Sequence, residues 1–111
     1  MTTTTPLTHT TTDRWTADVL EAETPVLVEL GAAWCPPCRA IQPVLQRLDE
    51  EHSGLRVLTL DTDAETEIAS RYGVLSLPTL LGFRDGVEVL RLVGARPYGR
   101  LASEIEPLVG A

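Results

Sequence analysis

The sequence predicts an α/β domain, a mixed central sheet of four to five strands with helices on both faces. Three observations lead there. The chain has 111 residues, 43% apolar and 23% charged, the size and balance of one globular domain with one core. Helical and strand-like segments alternate through the first half, which implies crossover connections and parallel strands; the second half carries a hairpin, whose strands must be antiparallel. No apolar run approaches the roughly 20 residues of a membrane span.

The elements follow in order. Residues 1–12 hold eight threonines and almost nothing apolar, so they read as a solvated tail in which Leu7 to Thr10 could at most add a short edge strand. The folded domain is accordingly expected over residues 13–111. From Asp13 the pattern is helical, with Trp15, Val19, Leu20 and Ala22 on one side and Asp18, Glu21 and Glu23 on the other, until Pro25 stops it. Val26 to Leu30 is a continuous run of mostly aliphatic residues, suited to a strand buried on both faces. Pro37 to Glu51 carries Ile41, Val44, Leu45 and Leu48 at helical spacing, with a break or kink expected at Pro43, and Gly54 ends it. Leu55 to Leu60 gives a second buried strand and Ala64 to Tyr72 a short helix closed by Gly73. Thr79 to Phe83 and Val87 to Val93 flank Asp85-Gly86, the signature of a tight hairpin. A last helix from about Pro97 turns Leu101, Ile105 and Leu108 inward, and Pro107 is expected to end it.

Charge and cysteine count narrow the function. Sixteen acids against nine bases leave a formal charge of −7, which disfavours nucleic acid or a polybasic membrane contact as partner. All nine bases are arginine; lysine is absent. A secretory leader needs a basic start and an apolar stretch of roughly 7–15 residues, and the first residues have neither, so a cytoplasmic location is expected. Two cysteines cannot supply the four ligands of a structural zinc site within one chain, so no metal is expected, and they permit one intramolecular disulfide.

Those cysteines, Cys35 and Cys38, flank Pro36-Pro37 between the first buried strand and the long helix. A helix start has unpaired amides and a partial positive charge, both of which favour thiolate over thiol. Residues three apart share a helix face, so the sulfurs can meet. One sulfur can then attack a substrate disulfide and the other resolve the mixed disulfide. Burial as core cysteines, or half of a metal site shared between chains, is the alternative, and the strand-to-helix position argues against it.

From about Asp13 to Val109 the sequence resembles the thioredoxin family, on the segment Val26 to Cys38 with its Trp34-Cys35-Pro36-Pro37-Cys38 core, Pro43, Ser76-Leu77-Pro78-Thr79, and Val93-Gly94-Ala95. The resemblance implies the thioredoxin fold and a protein-disulfide reductase with Cys35 as the exposed nucleophile and Cys38 as the more buried resolving thiol. It further implies a cis peptide before Pro78, opposite the cysteines, with substrate backbone bonding to Leu77. Trp34 and Gly94 would flank the nucleophile, and Leu75 and Leu77 would make the rim apolar. The redox-active disulfide would be the only prosthetic feature, with no bound cofactor. Disulfide-containing proteins would be the substrates, a flavoprotein using NADPH would recycle the disulfide, and a monomer is expected.

Four departures from the family pattern bear on mechanism. Pro36-Pro37 replaces the commoner Gly-Pro, which removes a backbone donor and stiffens the loop. Glu29 stands where a buried aspartate is usual; a carboxyl buried without a cation has a raised pKa and can take the proton of Cys38. Thr59 takes the place of a lysine that often accompanies that acid. Gly31 replaces an aromatic residue and is expected to loosen packing near Trp34. His9 and His52, far apart in the chain, read as structural, and the acidic stretch Asp61 to Glu67 reads as a solvated loop because it lacks the turn glycine of a calcium site. Two other functions fit the same residues: a specialised thiol-disulfide donor in one maturation pathway, or a binding module on the same fold with incidental redox activity.

Overall fold

A computed structural model describes residues 6–110. Five strands form one sheet in the order β1-β3-β2-β4-β5: β1 (Thr8–His9), β2 (Val26–Gly31), β3 (Arg56–Asp61), β4 (Thr79–Arg84) and β5 (Val87–Val93). β1, β3 and β2 are parallel, and β4 and β5 run antiparallel to their neighbours. The helices are α1 (Pro36–Glu51), α2 (Thr66–Arg71), α3 (Tyr98–Glu104) and α4 (Glu106–Val109), with a short helical segment at Thr16–Leu20.

Strand alternation divides the core in two. Leu27, Val57 and Leu80 face Ile41, Leu45 and Leu48 of α1 together with Leu101, Ile105 and Leu108. Val26, Val28, Leu30, Leu58 and Leu60 face the opposite way, onto Trp15, Val19, Ile68 and Phe83. Every residue of β2 is buried, as a strand covered on both sides requires. The hairpin turns through Asp85 (φ 52°) and Gly86 (φ 78°), the two left-handed residues of a two-residue turn that matches strand twist.

Four expectations need correction. The solvated tail does not extend to Thr12. Residues 1–5 lie outside the described residues, but Leu7 is 5% exposed and Thr10 2%, and β1 pairs with β3, so the fold begins before Asp13. The physical reason is that β1 needs only Leu7 to enter the core, and the parallel ladder satisfies its backbone without any apolar periodicity. Asp18 does not face solvent. The segment at Thr16–Leu20 is wound wider than an α-helix, with Glu21 N–H donating to Thr16 O five residues back, and this turns Asp18 inward to accept from Thr10 Oγ1 at 2.9 Å and Arg14 Nε at 3.1 Å. α1 runs through Pro43, so of the break or kink expected there the break does not occur. Pro107 does more than end a helix: it lacks the amide that would continue α3, the chain turns at Ile105, and a further helix, α4, begins with the proline in its first turn.

Candidate functional site

β2 delivers the chain to the mouth of α1, where Cys35 is the helix cap and Pro36 and Pro37 occupy the first turn. Prolines are tolerated there because those amides have no helical acceptor. With two donors removed, Cys38 N–H remains, and it donates to Cys35 Sγ at 3.3 Å. The sulfurs are joined in a disulfide, their Cα atoms 5.2 Å apart. Cys35 was expected to be the exposed sulfur. In this oxidised form the two residues are equally covered, 4% and 3% exposed, because both are tucked against Ala32 and Leu77.

The facing loop comes from the start of β4. The Leu77–Pro78 peptide is cis, as the resemblance implied. Thr79 Oγ1 donates to Ser76 O at 2.6 Å and closes the turn, and Gly94 N–H donates to Pro78 O at 2.8 Å. Gly94 has φ 95°, a conformation that favours glycine, so the rim residue and the cis proline are locked side by side. Around them Trp34 is 64% exposed and Leu75 96%. The Trp34 indole is fixed by a 2.8 Å bond from Nε1 to Asp63 Oδ2. The acidic stretch is therefore partly built in: Asp63 holds Trp34, and Glu65 accepts from Thr12 N–H at 2.8 Å.

Beneath the disulfide lies Glu29, 1% exposed. Its Oε1 accepts from Thr59 Oγ1 at 2.5 Å and from Gln42 Nε2 at 3.0 Å, while Oε2 is buried without a partner. Burial pushes its pKa above the ordinary 4.5, against the opposing pull of the Thr59 and Gln42 bonds and of the charge on His9. Thr59 thus sits beside the acid, as expected, and donates a hydrogen bond rather than a charge. Gly31 also leaves room for the acid. A Cβ there would lie 2.0 Å from Glu29 Oε2 and 3.1 Å from Cys38 Sγ. The Cβ position left free by the glycine is taken up by the glutamate carboxyl, which is one methylene longer than aspartate.

Two participants escaped the sequence reading. His9 lines a cavity of about 190 Å³ together with Glu29, Gly31, Cys38 and Thr59; a two-residue strand carries no periodicity that could have put it there. Arg96 is 8% exposed and ties the rim: Nη2 donates to Val93 O at 2.6 Å, Nε to Gly94 O at 3.2 Å, and Nη1 to both carboxyl oxygens of Glu104 at 2.9 Å. Only a buried arginine between a glycine rim and a helix could have hinted at it. His52 stays outside, its ring against Leu48 O. Among the described residues, no group of three or more His, Cys, Asp or Glu could hold a metal ion, and no helix is long and apolar enough to cross a membrane.

A cysteine pair at a helix mouth, facing a cis proline on a mixed five-stranded sheet, defines a thiol-disulfide oxidoreductase. The sequence profile described as Thioredoxin matches residues 6–107. The chain is 43% identical over 99 residues to Thioredoxin C-2 of Corynebacterium nephridii, covering 88% of this chain and 92% of that protein. It is 44% identical over 90 residues to the thioredoxin of Synechocystis sp., covering 80% and 84%, and 41% identical over 95 residues to that of Streptomyces clavuligerus, covering 86% and 89%. The chain belongs to the thioredoxin family.

Proposed function

We propose that this chain reduces disulfides of other proteins, with Cys35 as the attacking thiol, Cys38 as the resolving thiol and Glu29 as the acceptor of the resolving proton. The observation that carries the reading is the Cys35–Cys38 disulfide at the mouth of α1, opposite the cis Leu77–Pro78 peptide. In the reduced form the helix terminus and the Cys38 amide favour a thiolate on Cys35. That thiolate attacks one sulfur of a substrate disulfide and expels the other as thiolate. Cys38 loses its proton to the Glu29 carboxylate, attacks Cys35 Sγ, and releases the second substrate thiolate. The two electrons gained by the substrate are those lost in forming the Cys35–Cys38 bond.

Trp34, Leu77, Pro78 and Gly94 form the docking rim, where an extended substrate segment would pair with the Leu77 backbone and lay apolar side chains beside Trp34 and Leu75. A small, largely apolar patch supports brief encounters with many partners. The recycling partner we assign is a flavoprotein reductase using NADPH, and the working form a cytoplasmic monomer serving cellular thiol balance. An insulin-turbidity assay tests the reading: the reduced protein accelerates precipitation of insulin chains and Cys35→Ser abolishes the effect. Equal rates for the two proteins would overturn it.

A further inference from the structure

The cavity behind the disulfide carries a second titratable side chain on its wall. His9 on β1 pairs in register with Thr59 on β3, and Thr59 pairs in register with Glu29 on β2. Residues opposite one another on registered strands point to the same face. His9, Thr59 and Glu29 therefore form one row across three strands, and two strand spacings separate the backbones of the outer pair by ~10 Å. All three line the cavity of about 190 Å³ that Cys38 also lines. Such a volume has room for several water molecules, each filling ~30 Å³ in the liquid. At the inner end, Glu29 Oε2 is buried and unpartnered. At the outer end, His9 is exposed to solvent.

The other charged groups facing this space are otherwise engaged. Arg39 on α1 donates from Nη1 to Ala33 O at 2.7 Å, and Asp61 at the end of β3 accepts from Asp63 N–H at 2.9 Å. The family's usual lysine position is Thr59, which is neutral. His9 is the cation whose charge acts on Glu29.

We propose that His9 is a positioning residue for proton exchange at Glu29, facing it across this cavity so that its imidazolium holds the acid as carboxylate, ready to take the proton of Cys38. This rests on the reading of Glu29 as proton acceptor. The step conserves protons: Cys38 S–H and the Glu29 carboxylate become thiolate and carboxylic acid, and the thiolate attacks Cys35 Sγ as the Cys35–substrate bond breaks toward the substrate sulfur. The carboxylic proton then leaves through the cavity to solvent. While charged, the imidazolium disfavours its return and holds Glu29 as carboxylate for the next turnover.

The test is a stopped-flow reaction of the reduced protein with excess dithiobis(nitrobenzoate). Attack by Cys35 releases the first nitrobenzoate thiolate at a rate proportional to reagent. Attack by Cys38 releases the second at a rate independent of it, so the two steps separate. The rate of the second release against pH is compared for the native protein, His9→Gln, His9→Lys and Glu29→Gln. His9→Gln moves the acid limb upward by roughly half to one pH unit, making the second release about three- to tenfold slower on that limb. His9→Lys, which keeps a cation at the position, returns the limb to the native position or below. A His9→Gln limb that coincides with the native one, while Glu29→Gln slows the second release, overturns the role of His9 and leaves Glu29 as acceptor. A shifted His9→Gln limb that His9→Lys fails to restore overturns it equally. A second release untouched by Glu29→Gln overturns the role of Glu29 as well.

Discussion

Glu29 and Gly31 are two residues apart on one strand, so their side-chain positions lie on the same face, and they behave as one unit. Gly31→Ala tests this. The new methyl carbon would stand 2.0 Å from Glu29 Oε2. An unstrained carbon-oxygen contact is about 3.3 Å, so the oxygen must retreat by ~1.3 Å. The carboxyl is rigid, and the same retreat carries Oε1 away from Thr59 Oγ1, now at 2.5 Å, and from Gln42 Nε2, now at 3.0 Å. Losing one hydrogen bond to a carboxyl costs about 1.5–3 kcal/mol, offset by up to ~1 kcal/mol because alanine restricts the unfolded chain. A net loss of about 0.5–3 kcal/mol is expected. In a Glu29→Asp background the carboxyl is one methylene shorter and no longer reaches residue 31, so the same Gly31→Ala change becomes neutral or mildly stabilising. Urea denaturation of the four oxidised proteins measures the coupling. Independent sites add within about 0.5 kcal/mol. If the two single costs simply add, Glu29 is not packed into the space above Gly31 and the argument fails.

Further predictions concern the same site. The folded-state pKa of Glu29 is raised above its ordinary 4.5, so the acid form is favoured by folding. Its stabilising contribution is fully present below pH 4.5 and is lost as pH rises through the folded value; the stability difference between the native protein and Glu29→Gln therefore falls with rising pH over that window, and a flat difference contradicts the reading. Arg96→Met strips donors from Val93 O and Gly94 O and is expected to cost about 1–3 kcal/mol, less than a fully buried pair because Glu104 still meets water. It should raise KM for insulin with little change toward dithiobis(nitrobenzoate), which does not need the rim. An N-cap side chain accepts from the second or third helical amide. Pro37→Ala, which restores the second, is expected to lower the Cys35 thiol pKa by roughly half a unit to one unit, read from iodoacetamide alkylation against pH, whereas Pro36→Ala leaves it nearly unmoved.

Much of this was written along the chain. The alternation of apolar runs and the spacing of Ile41, Leu45 and Leu48 define the sheet and its main helix, and Asp85-Gly86 defines the hairpin turn, because strand and helix periods and left-handed turns are local properties. Cys35 and Cys38 were legible for the same reason: a three-residue spacing at a helix start is itself a geometry. Asp18 misled because its helical segment is wound wider than an α-helix, so a 3.6-residue period assigns it to the wrong side.

What no local pattern contains is the sideways neighbour. Leu7 belongs to the core and His9 to the cavity only because β1 finds β3, which follows α1 in the chain. Arg96 clasps the rim only because α3 brings Glu104 back beside it. The sequence by itself determined the fold class, the redox pair and the buried acid, all of which depend on residues close in the chain. Tertiary structure alone decided what surrounds that acid, since the register between strands sets which distant side chains share a face. Desolvation and hydrogen bonding then act through those neighbours, so the proton chemistry of Glu29 is a property of the assembled sheet.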